Sequence, residues 1–268
     1  MADSFDLDAY LEHIQWDGAA DATLETLTTL LDAHMSRIPF ENLDVLLGRP
    51  VRLDLKGLQD KLVRAHRGGY CFEHATLFAA VLEAFGFRPA RHSARVTLYE
   101  PRTVSSRTHM FLTVSIRHER FVVDPGFGML APRLPIPLVD GAGSRHGTSH
   151  WMVRDADHWL LRAQRGEKVI DAWASTLESD NPGDFKIANH YTATHPDSSF
   201  VNRIMLRALA PDGFVTVLNR DVTVWRDNTP HPAQLADRSA LRALLREHFG
   251  FDLPEIDQLR VPSIPEWE

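Results

Sequence analysis

Arg67-Gly68-Gly69-Tyr70-Cys71-Phe72-Glu73 divides the chain into two kinds of sequence. Before it, apolar residues recur at helical spacing; beyond the helix that it opens, they come in short β-type runs. The two glycines permit a sharp turn and a close approach of backbone to a ligand. Phe72, Ala75, Phe78, Ala79, Leu82 and Phe85 then trace an apolar stripe, which predicts a helix ended by Gly86. Cys71 falls in the first turn of that helix. There the free N–H groups and the positive end of the helix dipole favour thiolate over thiol, and the thiolate is the nucleophile. The same N–H groups could bind the oxyanion that forms when an acyl group is attacked. A lone cysteine is by default a small buried hydrophobe; the glycines and the helix start set this one apart.

Upstream, Ser4 is an N-cap candidate for a helix carrying Leu7, Tyr10, Leu11 and Ile14. Leu24, Leu27, Leu31 and Met35 repeat the pattern, and Asp54 caps a third helix with Leu55, Leu58 and Leu62. Downstream, residues 95–99, 109–115, 120–124, 151–153 and 159–161 read as strands. Pro132 to Pro137 separates some of them, and the glycine-rich stretch Gly141 to Gly147 reads as a loop. Past about Pro182, residues 203–207, 214–218 and 222–225 read as a meander, and Asp237 to Phe249 as a closing helix before Gly250. Helices, then strands, then strands with a helix predict an α+β protein in three segments.

A thiol nucleophile needs a base. Among fourteen histidines, His109 stands out because it starts an otherwise apolar strand, Arg107-Thr108-His109-Met110-Phe111-Leu112. The next strand returns after a polar turn around Arg117-His118-Glu119 and ends at Asp124-Pro125-Gly126. In such a hairpin His109 and Asp124 lie at the same end, where residues opposite or diagonal can touch. Alone, Asp124 reads as a turn former before Pro-Gly. Together the two offer an imidazole steadied by a carboxylate and able to take a proton from a cysteine. The order Cys, His, Asp is compatible with a triad, because triads are defined by geometry.

Composition removes other classes. Of 268 residues, 44% are hydrophobic and 24% charged, which is ordinary globular material. The formal net charge of -7 disfavours a nucleic-acid partner, while leaving room for a local basic pocket. One cysteine excludes an intramolecular disulfide framework and a multi-cysteine zinc site. The acidic stretch Met1 to Asp6 lacks the basic-then-apolar pattern of a signal peptide, and no apolar run approaches a membrane span. A free thiol in such a chain predicts a cytoplasmic protein. There is no His-Glu-x-x-His, no Walker A lysine motif, no Gly-x-Gly-x-x-Gly after a strand and no Gly-x-Ser-x-Gly elbow. His146 and His150 are scattered loop histidines, so no metal site is expected. Trp151, Trp159, Trp173, Trp225 and Trp267 read as packers of cores or edges.

The motifs resemble a known family. Arg67-Gly-Gly-Tyr-Cys-Phe-Glu73 looks like the catalytic cysteine signature of arylamine N-acetyltransferases. Arg107-Thr-His-Met110 resembles their histidine motif, and Val123-Asp-Pro-Gly-Phe-Gly128 their aspartate motif. Ile38-Pro-Phe-Glu-Asn-Leu43 and Asp197-Ser-Ser-Phe-Val-Asn202 match two further segments in the family's order. The resemblance implies an N-terminal helical bundle (1–86), a central β-barrel (87–190) and a C-terminal α/β lid (191–268), with a papain-like cysteine triad. It implies acetyl-CoA as co-substrate, no permanently bound cofactor, and small aromatic amines or hydrazines as acceptors. By the same resemblance Cys71 is the acyl acceptor, His109 the base and then acid, and Asp124 the orienting anion. Phe40, Val96, Phe127 and Gly128 match substrate-binding positions; Arg67 and Glu41 match structural ones. Pro125 departs from the small or aliphatic residue frequent there, and it bears on the turn that positions Phe127. Two other readings fit the same residues: a cysteine hydrolase or transglutaminase-like enzyme, and a silent CoA-binding scaffold.

Overall fold

Side chains able to cap a helix mark where several of the helices start. The computed structural model describes residues 5–146, 148–227 and 229–267. Helix α1, Leu7–Ile14, starts at Asp6, whose carboxylate accepts from the Ala9 amide; Ser4 lies outside the described residues. Thr23 caps α2, Leu24–Arg37, in the same way. The short α3, Leu43–Leu46, is followed by α4, Leu55–Leu58, which Asp54 caps as expected and which runs on into a wide π turn, Gln59–Arg64. Helix α5, Cys71–Ala84, follows the glycine pair and stops before Gly86, whose φ of +83° suits a residue without Cβ.

Eight antiparallel strands come next: β1 Pro89–Val96, β2 Arg107–Ile116, β3 Glu119–Val123, β4 Ile136–Pro137, β5 Gly143–His146, β6 Thr148–Asp155, β7 His158–Arg165 and β8 Lys168–Ser175. Their order is β4-β3-β2-β1-β8-β7-β6-β5, and β4 comes back against β5 and β6, so the sheet curls into a nearly closed barrel. Helices α6, Pro182–Thr194, and α7, Ser199–Asn202, lead to a meander of β9 Met205–Ala210, β10 Gly213–Leu218, β11 Asp221–Arg226 and β12 Thr229–Gln234. Helix α8, Arg238–Leu244, packs with this sheet and continues as a π turn to Phe249. The α+β architecture is the expected one.

Several elements differ from the sequence reading. The strand expected at 95–99 is β1, which starts at Pro89 and stops at Val96. Its polar residues Arg91, His92 and Ser93 hide the alternation, but His92 reaches Thr113 Oγ1 at 2.9 Å and the Ser93 amide donates to Asp180. Part of the glycine-rich stretch read as a loop is strand β5. Strand β12 carries Pro230 and Pro232, which an edge position tolerates because the outer face needs no donor. Helix α6 was not expected; it has little apolar periodicity, and it starts at Asn181 with Pro182 in its first turn.

Strand parity decides which side chains meet. Met110, Leu112 and Val114 of β2 join Phe72, Phe78 and Leu82 of α5 in one core, whereas Phe111 joins Val122, Met152, Leu161 and Trp173 inside the barrel. His109 has the parity of Phe111, and Asp124 that of Val122. Both therefore belong to the barrel interior.

The cysteine loop is held from behind by buried charges. Arg67 Nη2 donates to Glu41 Oε1 at 2.6 Å and to Asp44 Oδ1 at 3.1 Å. Lys61 Nζ lies 2.8 Å from Glu73 Oε1 and 2.7 Å from Asp44 Oδ2. Burial pushes the Glu73 carboxyl up to about 7, with Lys61 opposing it. Glu73 Oε2 also accepts from the Tyr70 amide, so the cluster ties directly to the start of α5. Removing one member of such a cluster leaves an unpaired buried charge, typically at a cost of about 3–5 kcal/mol. Arg67→Ala should lower the melting temperature in calorimetry more than it lowers turnover of the folded fraction. Unchanged melting with lost turnover would contradict a structural role.

Candidate active site

Cys71 is the first residue of α5, where helix geometry leaves the Cys71 and Phe72 amides without intrahelical acceptors. It is 3% exposed, and its Sγ lies 3.8 Å from the Thr108 carbonyl, one residue before His109. Gly126 passes so close that a Cβ there would stand 2.6 Å from Cys71 Cα. The Asp-Pro-Gly turn therefore seats against the thiol residue only because position 126 has no side chain.

The β2–β3 hairpin supplies the other two groups. Leu112 pairs with Val123, so Asp124 comes level with the residues just after His109. His109 Nε2 donates to Asp124 Oδ2 at 2.8 Å. That bond leaves Nδ1 for Cys71, whose neighbouring side chain favours the charged ring. Burial works against a charged His109 ring, but the Asp124 carboxylate and then Cys71 outweigh it and lift the imidazolium to about 10. The Phe127 ring stands edge-on to His109 at 4.8 Å, and Phe111 stacks parallel to it at 6.3 Å.

Asp124 is 0% exposed and has a second donor that the sequence reading did not identify: Trp173 Nε1 reaches Oδ2 at 2.9 Å. The sequence places Trp173 among the core-packing tryptophans, and it does stack on Phe111 at 4.2 Å. Its polar role was hidden because strand β8, in Lys168-Val-Ile-Asp-Ala-Trp, was not recognised and its parity could not be used. Among the described residues, no hydrogen bond joins Trp151, Trp159 or Trp267 to Asp124 or His109. His150 is equally structural: its Nε2 donates to the Leu130 carbonyl at 2.9 Å. The side chain of His146 and residue Gly147 lie outside what is described.

The thiol opens on a cleft of about 610 Å³, lined by Phe40, Val96, His109, Phe127 and Gly128 and by Tyr191, Phe200 and Arg203. All four positions expected to bind substrate are in this wall. Gly128 has φ +63°, and a Cβ there would press on the Phe40 ring at 3.0 Å. Arg67 and Glu41 lie behind the cysteine loop and do not line the cleft. A cysteine at a helix start facing a histidine on a barrel strand is the papain-like arrangement.

A family model for N-acetyltransferases matches residues 23–258. The chain belongs to the arylamine N-acetyltransferase family. It is 36% identical over 265 residues to an arylamine N-acetyltransferase of Mycobacterium tuberculosis, covering 95% of this chain and 92% of the relative. It is 33% identical over 253 residues to that of Escherichia coli K12, covering 93% and 90%. A Mycobacterium marinum arylamine N-acetyltransferase solved in complex with CoA superposes with a TM-score of 0.89 at 31% identity, with 94% of each chain covered. As an arylamine N-acetyltransferase family member the chain is an acyltransferase, and the family fold is the α+β one described above, with its helices and nearly closed barrel sheet. Among the described residues, no helix is long and apolar enough to cross a membrane.

The raised His109 value has a pH signature. A group whose folded value exceeds its ordinary 6.5 stabilises the native state fully below that pH, and the contribution is lost as pH climbs through about 10. Urea unfolding of the native chain and of His109→Gln should therefore differ most below about pH 6.5 and converge toward pH 10. A difference that stays constant across that window would mean that His109 is not charged in the folded protein.

Proposed function

We propose that this protein transfers the acetyl group of acetyl-CoA to arylamines and arylhydrazines in two half-reactions through acetyl-Cys71. The observation that carries this reading is a cysteine at a helix start beside an imidazole whose far nitrogen is held by a buried carboxylate.

In the first half-reaction Cys71 Sγ attacks the thioester carbonyl. The oxyanion is met by the free amides of the first turn of α5. The tetrahedral species collapses, the carbon–sulfur bond to CoA breaks, and the imidazolium of His109 gives its proton to the leaving thiolate. Acetylation removes the sulfur charge that helped keep the ring protonated, so neutral His109 is left to act as base. In the second half-reaction the amine nitrogen attacks acetyl-Cys71 and loses its proton to His109, and the thiolate departs to restore the starting pair. General-base help of this kind is worth about two to four orders of magnitude. Asp124 keeps the ring in the Nε2–H tautomer and steadies its charge.

Phe40, Val96, Phe127 and Gly128 form the wall against which the acceptor ring lies. Arg67 and Glu41 act as structural support. The division into 1–86, 87–190 and 191–268 assigns the thiol to the first segment, the imidazole and carboxylate to the second, and the narrowing of the cleft to the third; α6 straddles the last boundary. No resident cofactor or metal is needed for this chemistry, and a thiol that must stay reduced suits the cytoplasm. Arg203 supports a polyanionic donor: among the described residues it is the one guanidinium lining the cleft, in a chain of net charge -7.

Intact mass spectrometry tests the reading. The protein should gain one acetyl group from acetyl-CoA and lose it on addition of an aromatic amine. No gain, or a gain that the amine does not discharge, overturns the proposal. Asp124→Asn should slow the gain by about three to four orders of magnitude, as expected for the wrong imidazole tautomer; a normal rate would remove Asp124 from the mechanism. Arg203→Gln should raise KM for acetyl-CoA by about tenfold, the scale of one charge-assisted hydrogen bond. It should leave transfer from a short acetyl thioester without phosphates unchanged, and an equal effect on both donors would exclude the phosphate contact.

A further inference from the structure

A thread of polar side chains crosses the otherwise apolar core of the helical segment, and the triad does not use it. Tyr10 Oη lies 2.8 Å from His34 Nδ1, His34 Nε2 lies 2.9 Å from His74 Nδ1, and His74 Nε2 lies 3.2 Å from the carbonyl oxygen of Pro39. All three side chains are buried. Burying polar groups is costly unless each is hydrogen-bonded, and phenylalanine or leucine would fill the same space without that demand.

The last bond sets the direction of the others. A carbonyl oxygen only accepts, so His74 Nε2 carries the proton. Burial holds both rings neutral, at about 4 for His74 and well below the ordinary value for His34. A neutral ring has one N–H, so His74 Nδ1 is an acceptor and His34 Nε2–H donates to it. His34 Nδ1 must then accept from the Tyr10 hydroxyl, which burial keeps protonated. One arrangement of protons satisfies all three bonds; reversing any of them sets lone pair against lone pair or proton against proton.

The thread ends on a carbonyl that matters to the cleft. Pro39 O also accepts from the Gly69 amide at 3.2 Å, and Glu41 donates its amide to Gly69 O at 2.8 Å. Phe40, between them, bridges Gly69 on one side and Arg207 on the other. His74 sits one turn after Cys71 on α5. The thread thus connects the helix that carries the thiol to the backbone that carries the Phe40 wall. An acceptor ring has to fit between those two, and attack needs its nitrogen within about 3–3.5 Å of the acetyl carbon.

We propose that Tyr10, His34 and His74 are positioning residues for the acceptor half-reaction, because their one-directional hydrogen-bond thread fixes the Pro39 carbonyl and so the spacing between Phe40 and Cys71. The inference rests on the transferase reading above. Acetylation of Cys71 from the donor does not depend on the Phe40 spacing, so the two half-reactions respond differently when the thread is cut.

Tyr10→Phe removes one hydroxyl and keeps the volume. It should raise KM for an arylamine by about fivefold, the worth of one buried hydrogen bond, while the rate of Cys71 acetylation stays within about twofold. His74→Leu should raise the amine KM further, and His74→Gln, whose amide nitrogen can reach the place of Nε2, should recover part of it. If His74→Leu does not fold, Tyr10→Phe decides. An unchanged amine KM in Tyr10→Phe, or equal slowing of both half-reactions, overturns the proposal. Nitrogen NMR of isotope-labelled histidine rings supplies a readout independent of activity: His34 and His74 must both be Nε2–H tautomers, and an Nδ1–H on either overturns the thread. A wild-type chain that takes no acetyl group would defeat the transferase reading while leaving this readout in force.

Discussion

The structure is organised around a carboxylate that water does not reach. Asp124 is fully buried inside the barrel, and an anion there is tolerable only with hydrogen-bond donors aimed at it. Two donors converge on one of its oxygens: His109 Nε2 from β2 and Trp173 Nε1 from β8. Strands β2 and β8 are not neighbours; β1 lies between them, and the curl of the sheet brings their inner faces together. Barrel closure is thus a condition for the charge as much as for the core. The charge in turn keeps the imidazole protonated next to the thiol, against the burial that would otherwise neutralise it.

A second constraint joins the helical part of the chain to the C-terminal sheet. The backbone from Pro39 to Glu41 pairs with Gly69 of the cysteine loop on one side and with Arg207 of β9 on the other. Close approach is needed at this seam: a Cβ on Gly68 would stand 2.1 Å from the Pro39 carbonyl oxygen. Asn42 extends the seam by donating to the Phe200 and Arg203 carbonyls and accepting from the Met205 amide. The cleft lies where these pieces meet, so its shape is set by hydrogen bonds between segments far apart in the chain.

Much of this could be read before any coordinates. The stripe after Cys71, the Asp54 cap and the His109–Asp124 hairpin all rest on local pattern, and local pattern survives folding when one face is buried. Elements with weak periodicity were lost. Strand β1 was displaced because its inward polar residues are satisfied by partners distant in sequence, and α6 was missed because its apolar residues do not repeat. Trp173 was legible as a buried aromatic and illegible as a donor to Asp124, since its partner lies 49 positions away. The Tyr10–His34–His74 thread was invisible for the same reason: nothing in the spacing of three residues on three helices says that their rings touch.

By itself the sequence determined the chemistry on offer: one thiol at a helix start, an imidazole and a carboxylate on one hairpin, and the order of the motifs that places the chain in its family. These depend on residue type and on periodicities of two and of 3.6, which act over a few residues. Only the tertiary structure decided which nitrogen of His109 meets Asp124, which second donor steadies the carboxylate, and which wall stands across from the thiol. Those outcomes depend on burial and on contacts between remote segments, whose energies exist only once the barrel has closed and water has been excluded.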